Sequence, residues 1–223
     1  MNKYEIVQKI EKFAPPETQE KWDASGWIVE IVGSEIKKIL FALTVTPNVI
    51  KQAENLGCDM IISHHPLFFV PFEYKKFNIY CAHTNFDLAQ GGTTDTLINK
   101  LGLKKSYDNG FVRIVNLPNP ITVEELKNKL LNISPNLRYV NNYGVEKISS
   151  IGFCAGSGAE FINETNVDAF VTGDLKFHTA LDADKVVFDI GHFESEIFAP
   201  QVLKEITGAG ENGVIANEKS PFI

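Results

Sequence analysis

Cys58-Asp59-Met60-Ile61-Ile62-Ser63-His64-His65-Pro66 is the stretch on which the fold turns. A helical pattern opened by Pro47 and stopped by Gly57 precedes it. The apolar run Met60-Ile61-Ile62 then ends in two adjacent histidines. A short apolar run framed by a helix and turn residues reads as a buried strand of a βα unit. Val167-Asp168-Ala169-Phe170-Val171-Thr172-Gly173-Asp174 resembles it. The strands before the two stretches, Ile39–Val45 and Ser149–Ala155, stand at nearly the same distance from them. The strands after them, Ile79–Ala82 and Val187–Ile190, lead to His83 and His192. Two versions of one β-α-β-β plan are therefore expected.

Working outward, residues 3–12 read as a helix with Ile6, Ile10 and Phe13 on one face, ended by Pro15-Pro16. Strands are expected at 38–46 and 78–82, and a helix at 93–101. Asn109-Gly110 is a turn signal and marks a boundary. In the second half, strands are expected at 111–115, 137–140, 148–155, 169–171 and 186–190. Helices are expected from Thr122, at 158–164, at 176–183, and as one long helix over 193–206. Thr122 with Glu125 three residues on is a capping box. The tail after Gly208 is polar and glycine-rich. The expected class is α/β: two similar lobes, residues 1–108 and 109–223, with mainly parallel or mixed sheets.

The chain has 223 residues, 44% hydrophobic and 22% charged, ordinary values for a globular protein with substantial cores. A formal net charge of -7 argues against broad, charge-driven binding to nucleic acid or anionic lipid. No run approaches the ~20 apolar residues of a membrane span, and no signal core follows Met1. Cys58, Cys81 and Cys154 make an odd, unpaired set, which reads as reduced cysteines of a cytoplasmic protein. Cys81 would share a strand face with His83, which leaves a thiolate ligand open as the lesser alternative.

All five histidines fall after apolar strands, in polar segments where sites are built in α/β sheets. The adjacent His64-His65 can fan toward two points, with Pro66 holding His65 extended; a hydrogen-bonded loop is the alternative. His83 is followed four residues on by Asp87, which could equally be a turn carboxylate. His192 and Glu196 are one helical turn apart and converge on one side, although a first-turn acid has a dipole role of its own. Asp174 and His178 could be metal ligands, groups that orient a ligand imidazole, an acid–base pair, or a helix cap with a satisfied histidine. Imidazole with carboxylate is the donor set of zinc, iron and manganese sites.

The series Trp22-Asp23, Ser63-His64-His65-Pro66-Leu67, His83-Thr84-Asn85-Phe86-Asp87, Thr172-Gly173-Asp174-Leu175-Lys176-Phe177-His178 and Gly191-His192-Phe193-Glu194-Ser195-Glu196 resembles the dinuclear-metal-centre family. That family is known both as type-two GTP cyclohydrolase I homologues and as NGG-one-interacting-factor-three-like proteins. The resemblance implies two divalent metal ions, zinc, iron or manganese, in a cleft between two α/β lobes, with the C-terminal lobe returning His192 and Glu196 to it. His65, Asp87 and Glu196 would hold one ion, and His64, His192 and Glu196 the other, with Glu196 bridging. His83, Asp174 and His178 would support them. It further implies a cyclohydrolase-like hydrolase acting on a nucleotide or a related phosphorylated or purine substrate, and a homohexamer. The alternative is a non-enzymatic, ring-shaped scaffold or regulatory binding protein. At this length, the domain that longer relatives insert between the halves is expected to be missing.

Overall fold

A computed structural model describes residues 1–222. The chain forms two compact units. The first comprises Met1–Gly92 and is rejoined by the chain from Phe198 onward; the second is Thr93–Ile197. Asn109-Gly110 turns a hairpin inside the second unit.

In the first unit the order is α1 (Lys3–Phe13), β1 (Gly26–Val29), β2 (Ile39–Ala42), α2 (Pro47–Leu56), β3 (Met60–Ser63), β4 (Asn78–Cys81) and α3 (Thr84–Leu88). Asn2 caps α1 by accepting from the Tyr4 amide, and the helix buries Ile6, Val7 and Ile10. Thr46 caps α2 by accepting from the Val49 amide, Pro47 stands in its first turn, and Gly57 ends it in the left-handed region at φ 65°. β2, β3 and β4 are parallel, and every residue in them is buried. Strands covered on both faces read as continuous apolar runs, which is why Met60-Ile61-Ile62 announces itself.

The second unit holds α4 (Thr93–Lys100), β5 (Tyr107–Asn109), β6 (Val112–Thr122), α5 (Val123–Leu131), β7 (Arg138–Val140), β8 (Lys147–Phe153), β9 (Ala169–Thr172), α6 (Phe177–Asp182), β10 (Val186–Asp189) and α7 (His192–Glu196). The capping box at α5 is present in both directions, Thr122 with Glu125. The sheet order is β5-β6-β8-β9-β10-β7. The chain then returns to the first unit with α8 (Ala199–Thr207) and β11 (Gly213–Ile215), giving the sheet order β1-β4-β3-β2-β11 there. Both sheets are mixed.

The expected internal similarity holds for the strands and not for the helices, since α2 lies between β2 and β3 whereas α6 lies between β9 and β10. β2-β3-β4 and β8-β9-β10 are each three adjacent parallel strands, and each ends against an antiparallel strand, β1 on β4 and β7 on β10. Asp59 and Asp168 stand at matching places before the middle strand. The Asp59 carboxylate accepts from the Lys37 and Lys38 amides, and that of Asp168 from the Ser149 and Ser150 amides. The Ala82 amide donates to Ser63 O, as the Ile190 amide does to Thr172 O.

The structure departs from the expected elements in several places: β1, α3 and β5 are additional to them, and β6 runs on to Thr122 rather than ending near residue 115. The long helix over 193–206 is two helices, α7 and α8. Pro200 lacks an amide hydrogen, and its ring would strike the carbonyl of Glu196, so the helix cannot run through. The expected helix at 158–164 is a single 3-10 turn, Ala159–Phe161. The glycine-rich tail contributes β11, parallel to β2. Among the described residues no helix is long and apolar enough to cross a membrane.

Candidate metal centre

In the first unit, β3 and β4 deliver three histidines to one place. His64 and His65 leave the end of β3 and His83 leaves the end of β4. The ring centroids lie 5.1 Å apart for His64–His65, 5.2 Å for His64–His83 and 5.8 Å for His65–His83. Each offers a ligand atom within 4.8 Å of the others. Asp87, on α3 one turn after His83, places Oδ1 3.4 Å from His64 Nε2.

Each ring is oriented through Nδ1. His64 Nδ1 lies 2.9 Å from Ala82 O, and His83 Nδ1 lies 2.9 Å from Asp23 Oδ1. A carbonyl and a carboxylate only accept, so Nδ1 carries the proton in both rings and Nε2 is the basic nitrogen of the neutral form. His65 Nδ1 shares a 2.6 Å hydrogen bond with Thr44 Oγ1. Thr44 is itself fixed, because its amide and that of Leu43 donate to the two Glu218 oxygens. The Asp23 side chain is shut off from solvent. Burial works to raise its pKa, but hydrogen bonds from His83 and Thr84 prevail and hold the carboxyl well below the usual range.

The same construction appears within the second unit. His192 opens α7, with Nδ1 2.6 Å from Asp174 Oδ2 and Nε2 3.0 Å from Glu196 Oε2. Burial works to depress the His192 pKa, but the hydrogen bond and charge of Glu196, followed by those of Asp174, lift it to about 10. The imidazole is therefore a cation at neutral pH, donating to both carboxylates. Asp174 is the only described non-glycine residue at positive φ, 52°. That conformation costs free energy, and it turns the carboxylate onto His192. Gly156 is required beside this group. A Cβ on it would lie 2.2 Å from Glu196 Oε1.

Asp189 ties the loops together. Its Oδ1 accepts from the Gly191 amide, and its Oδ2 accepts from the Leu175 amide and from Arg138. His178 lies on the exposed side of α6, edge-on to Phe177 at 5.3 Å. Cys81 is no thiolate. It is buried, its Sγ donates to His64 O at 3.0 Å, and burial, with the Asp23 charge adding, pushes its pKa well above the ordinary value.

Imidazoles fixed at Nδ1, with carboxylates beside Nε2 of His64 and His192, fit a divalent metal of the zinc, iron or manganese type, which would displace the proton on His192 Nε2. The anchors Thr44, Glu218 and Asp189, and the pairing of Asp23 with His83, were not legible as site residues. Only the resemblance singled out Asp23, without a role.

Asp174→Asn is expected to keep the fold, because the amide oxygen can still accept from Nδ1. Loss of its charge should drop the His192 pKa below its native value. It should also weaken divalent-metal binding by roughly 10–100-fold, the usual cost of losing such an orienting carboxylate. Histidine titration by NMR and zinc competition measure the two effects.

The chain is 32% identical to the GTP cyclohydrolase 1 type 2 homolog of Clostridium perfringens, over 98% of this chain and 97% of that one. It is also 32% identical to the Campylobacter jejuni protein of the same name, with the same coverage. The solved structure described as reduced HcgD from Methanocaldococcus jannaschii superposes with a TM-score of 0.81 at 29% identity, covering 96% of each chain. The family model for Duf34/NIF3 (NGG1p interacting factor 3) matches residues 1–218, and the chain belongs to that family.

Proposed function

We propose that this chain is a dinuclear-metal hydrolase acting on a nucleotide or a related phosphorylated or purine-bearing substrate. The observation that carries the reading is the common orientation of the four imidazoles. His64, His65, His83 and His192 each engage a protein partner through Nδ1. The Nε2 atoms of His64 and His192 face the carboxylates of Asp87 and Glu196. That is how ligand histidines are prepared for a metal.

In this reading His65, Asp87 and Glu196 hold one cation. His64, His192 and Glu196 would hold the other, with Glu196 shared. Two such cations would supply Lewis acidity and bring the pKa of a coordinated water toward neutrality. The chain's own residues do the rest. Asp174 holds the proton on His192 Nδ1, so that Nε2 is the atom presented to the site. Ala82 O does the same for His64. His83, with its Nδ1 proton held by Asp23, keeps a basic Nε2 beside the pair. His178 stands with His83 and Asp174 as a supporting group.

The nucleotide-like substrate is supported by the names of the relatives. The cytoplasmic setting is supported by the unpaired cysteines, which are buried and free of disulfides. A homohexamer belongs to the same reading and is checked by sedimentation velocity.

The deciding experiment loads the purified chain with zinc, iron(II) or manganese(II) and follows hydrolysis of GTP, other nucleotides and phosphodiesters. About two metals per chain with metal-dependent turnover of one class supports the proposal. Full occupancy with no turnover on any class overturns the enzymatic reading in favour of the scaffold. Absence of bound metal after loading overturns the metal centre itself.

A further inference from the structure

We infer that Trp22 is the residue on which a purine-bearing substrate seats its base, stacked on the indole beside the His64–His65–His83 cluster. This rests on the nucleotide reading above and deepens it, by naming the side chain that selects for the base.

Trp22 is 63% exposed. So large an apolar side chain left in water adds little to the fold, since hydrophobic stabilisation follows the area removed from water. Single exposed apolar residues are ordinary; Trp22 is set apart by where it stands and by how firmly it is held. Its ring meets that of His83 at 6.0 Å between centroids and 76° between planes. In such a contact the edge of one ring meets the face of the other, so His83 covers at most one face of the indole. His83 in turn lies 5.2 Å from His64 and 5.8 Å from His65. The indole is therefore one ring out from the cluster.

The backbone beneath it is clamped. The Asp23 amide donates to Glu20 O, closing a turn with Lys21 and Trp22 at its centre. The Glu20 amide donates to Thr84 Oγ1, and the Asp23 carboxylate accepts from His83 Nδ1, the Thr84 amide and Thr84 Oγ1. Both ends of the turn are thus tied to the start of α3, the helix that carries Asp87. An aromatic side chain on a backbone already fixed loses little conformational freedom when a ligand settles on it. Phe68 and Phe69, in the segment that leaves His65, are exposed as well. Polar groups that fix orientation, edged by aromatic surface that supplies contact area, make the lining of a small-molecule site. A purine is a flat, two-ring partner for the two-ring indole, and its π-face is what such a side chain stacks on. A sugar phosphate without a base has no such face. Trp22 therefore favours nucleosides and nucleotides over sugar phosphates that metal ions alone would accept.

The test uses the full chain loaded with zinc, guanosine as the probe, and ribose phosphate as the ligand that lacks a base. Guanosine is expected to bind in equilibrium dialysis and to quench tryptophan emission excited at the red edge. Ribose phosphate should leave that emission unchanged. Trp22→Ala should weaken guanosine binding by roughly 10–100-fold, as expected for losing one base–aromatic stack, with zinc content and circular dichroism unchanged. Trp22→Phe should restore most of the binding without the quenching, because Trp27 is then the one tryptophan left. Guanosine binding equal in the wild type and Trp22→Ala overturns the inference, as does a wild type that binds no guanosine. Loss of zinc together with guanosine in Trp22→Ala also overturns it, because Trp22 would then act by steadying His83. Nucleotide turnover with a KM untouched by Trp22→Ala overturns the inference and leaves the hydrolase reading standing. Guanosine binding that depends on Trp22, in a chain that turns over no nucleotide, supports the inference while overturning the hydrolase reading.

Discussion

Glu196→Gln is expected to strip the protein of most of its bound metal, lowering affinity by more than the roughly 100-fold that loss of an orienting carboxylate costs. Glu196 is buried, and its carboxylate lies 3.0 Å from His192 Nε2. In the proposed centre it is the single anion shared by both cations, so one substitution acts twice. An amide of the same shape removes the charge while leaving the packing against Gly156 intact. Metal content of the purified variant measures the effect, and retention of two metals per chain would sink the bridging assignment.

The same variant has a pH signature in metal-free protein. The folded His192 pKa, about 10, stands above the ordinary 6.5. Protonated His192 therefore contributes stability that is fully present below about pH 6.5 and is lost as pH rises toward about 10. Denaturant midpoints of the metal-free wild type should fall across that window. With the largest favourable partner of His192 neutralised, the Glu196→Gln midpoints should fall less. Metal binding to the wild type near neutral pH should also release a proton from His192. Calorimetry in two buffers of different ionisation enthalpy reads that proton directly.

Asp189→Ala is expected to destabilise the second unit by about 3 kcal/mol, the order expected for leaving two amide donors unsatisfied. Asp189 is 5% exposed and satisfies the amides of Gly191 and Leu175 as well as Arg138. Arg138 is mostly exposed and can turn to water. The two amides cannot do so as readily, and each unsatisfied buried donor costs about 1–3 kcal/mol. Those amides lie in the loops that carry Asp174 and His192, so the His192 NMR signals should shift or broaden as well. A denaturant midpoint equal to that of the wild type would show that Asp189 does not tie these loops together.

Much of this molecule is written locally. The apolar triplet Met60-Ile61-Ile62, the Thr46-Pro47 start and Gly57 stop of α2, and the Thr122/Glu125 box each depend on residues a few positions apart. The break between α7 and α8 was equally local, since Pro200 forbids the continuous helix, yet the apolar periodicity masked it. β11 was not legible in Gly213–Ile215, because a three-residue glycine-bearing segment becomes a strand only when the edge of β2 is there to pair with it.

The site divides the same way. His64, His65, Asp87, His192 and Glu196 are visible as residue types at telling spacings, and the chemistry of imidazole and carboxylate makes them candidates before any coordinates exist. Their anchors are not visible. Asp23 meets His83 across 60 residues of chain, and Glu218 supports the threonine that holds His65 from 174 residues away. Short-range rules assign donors and acceptors within a few residues. Which carboxylate completes which imidazole is decided only when the parallel strands bring their ends together, because a hydrogen bond is fixed by distance and angle in space rather than by separation along the chain.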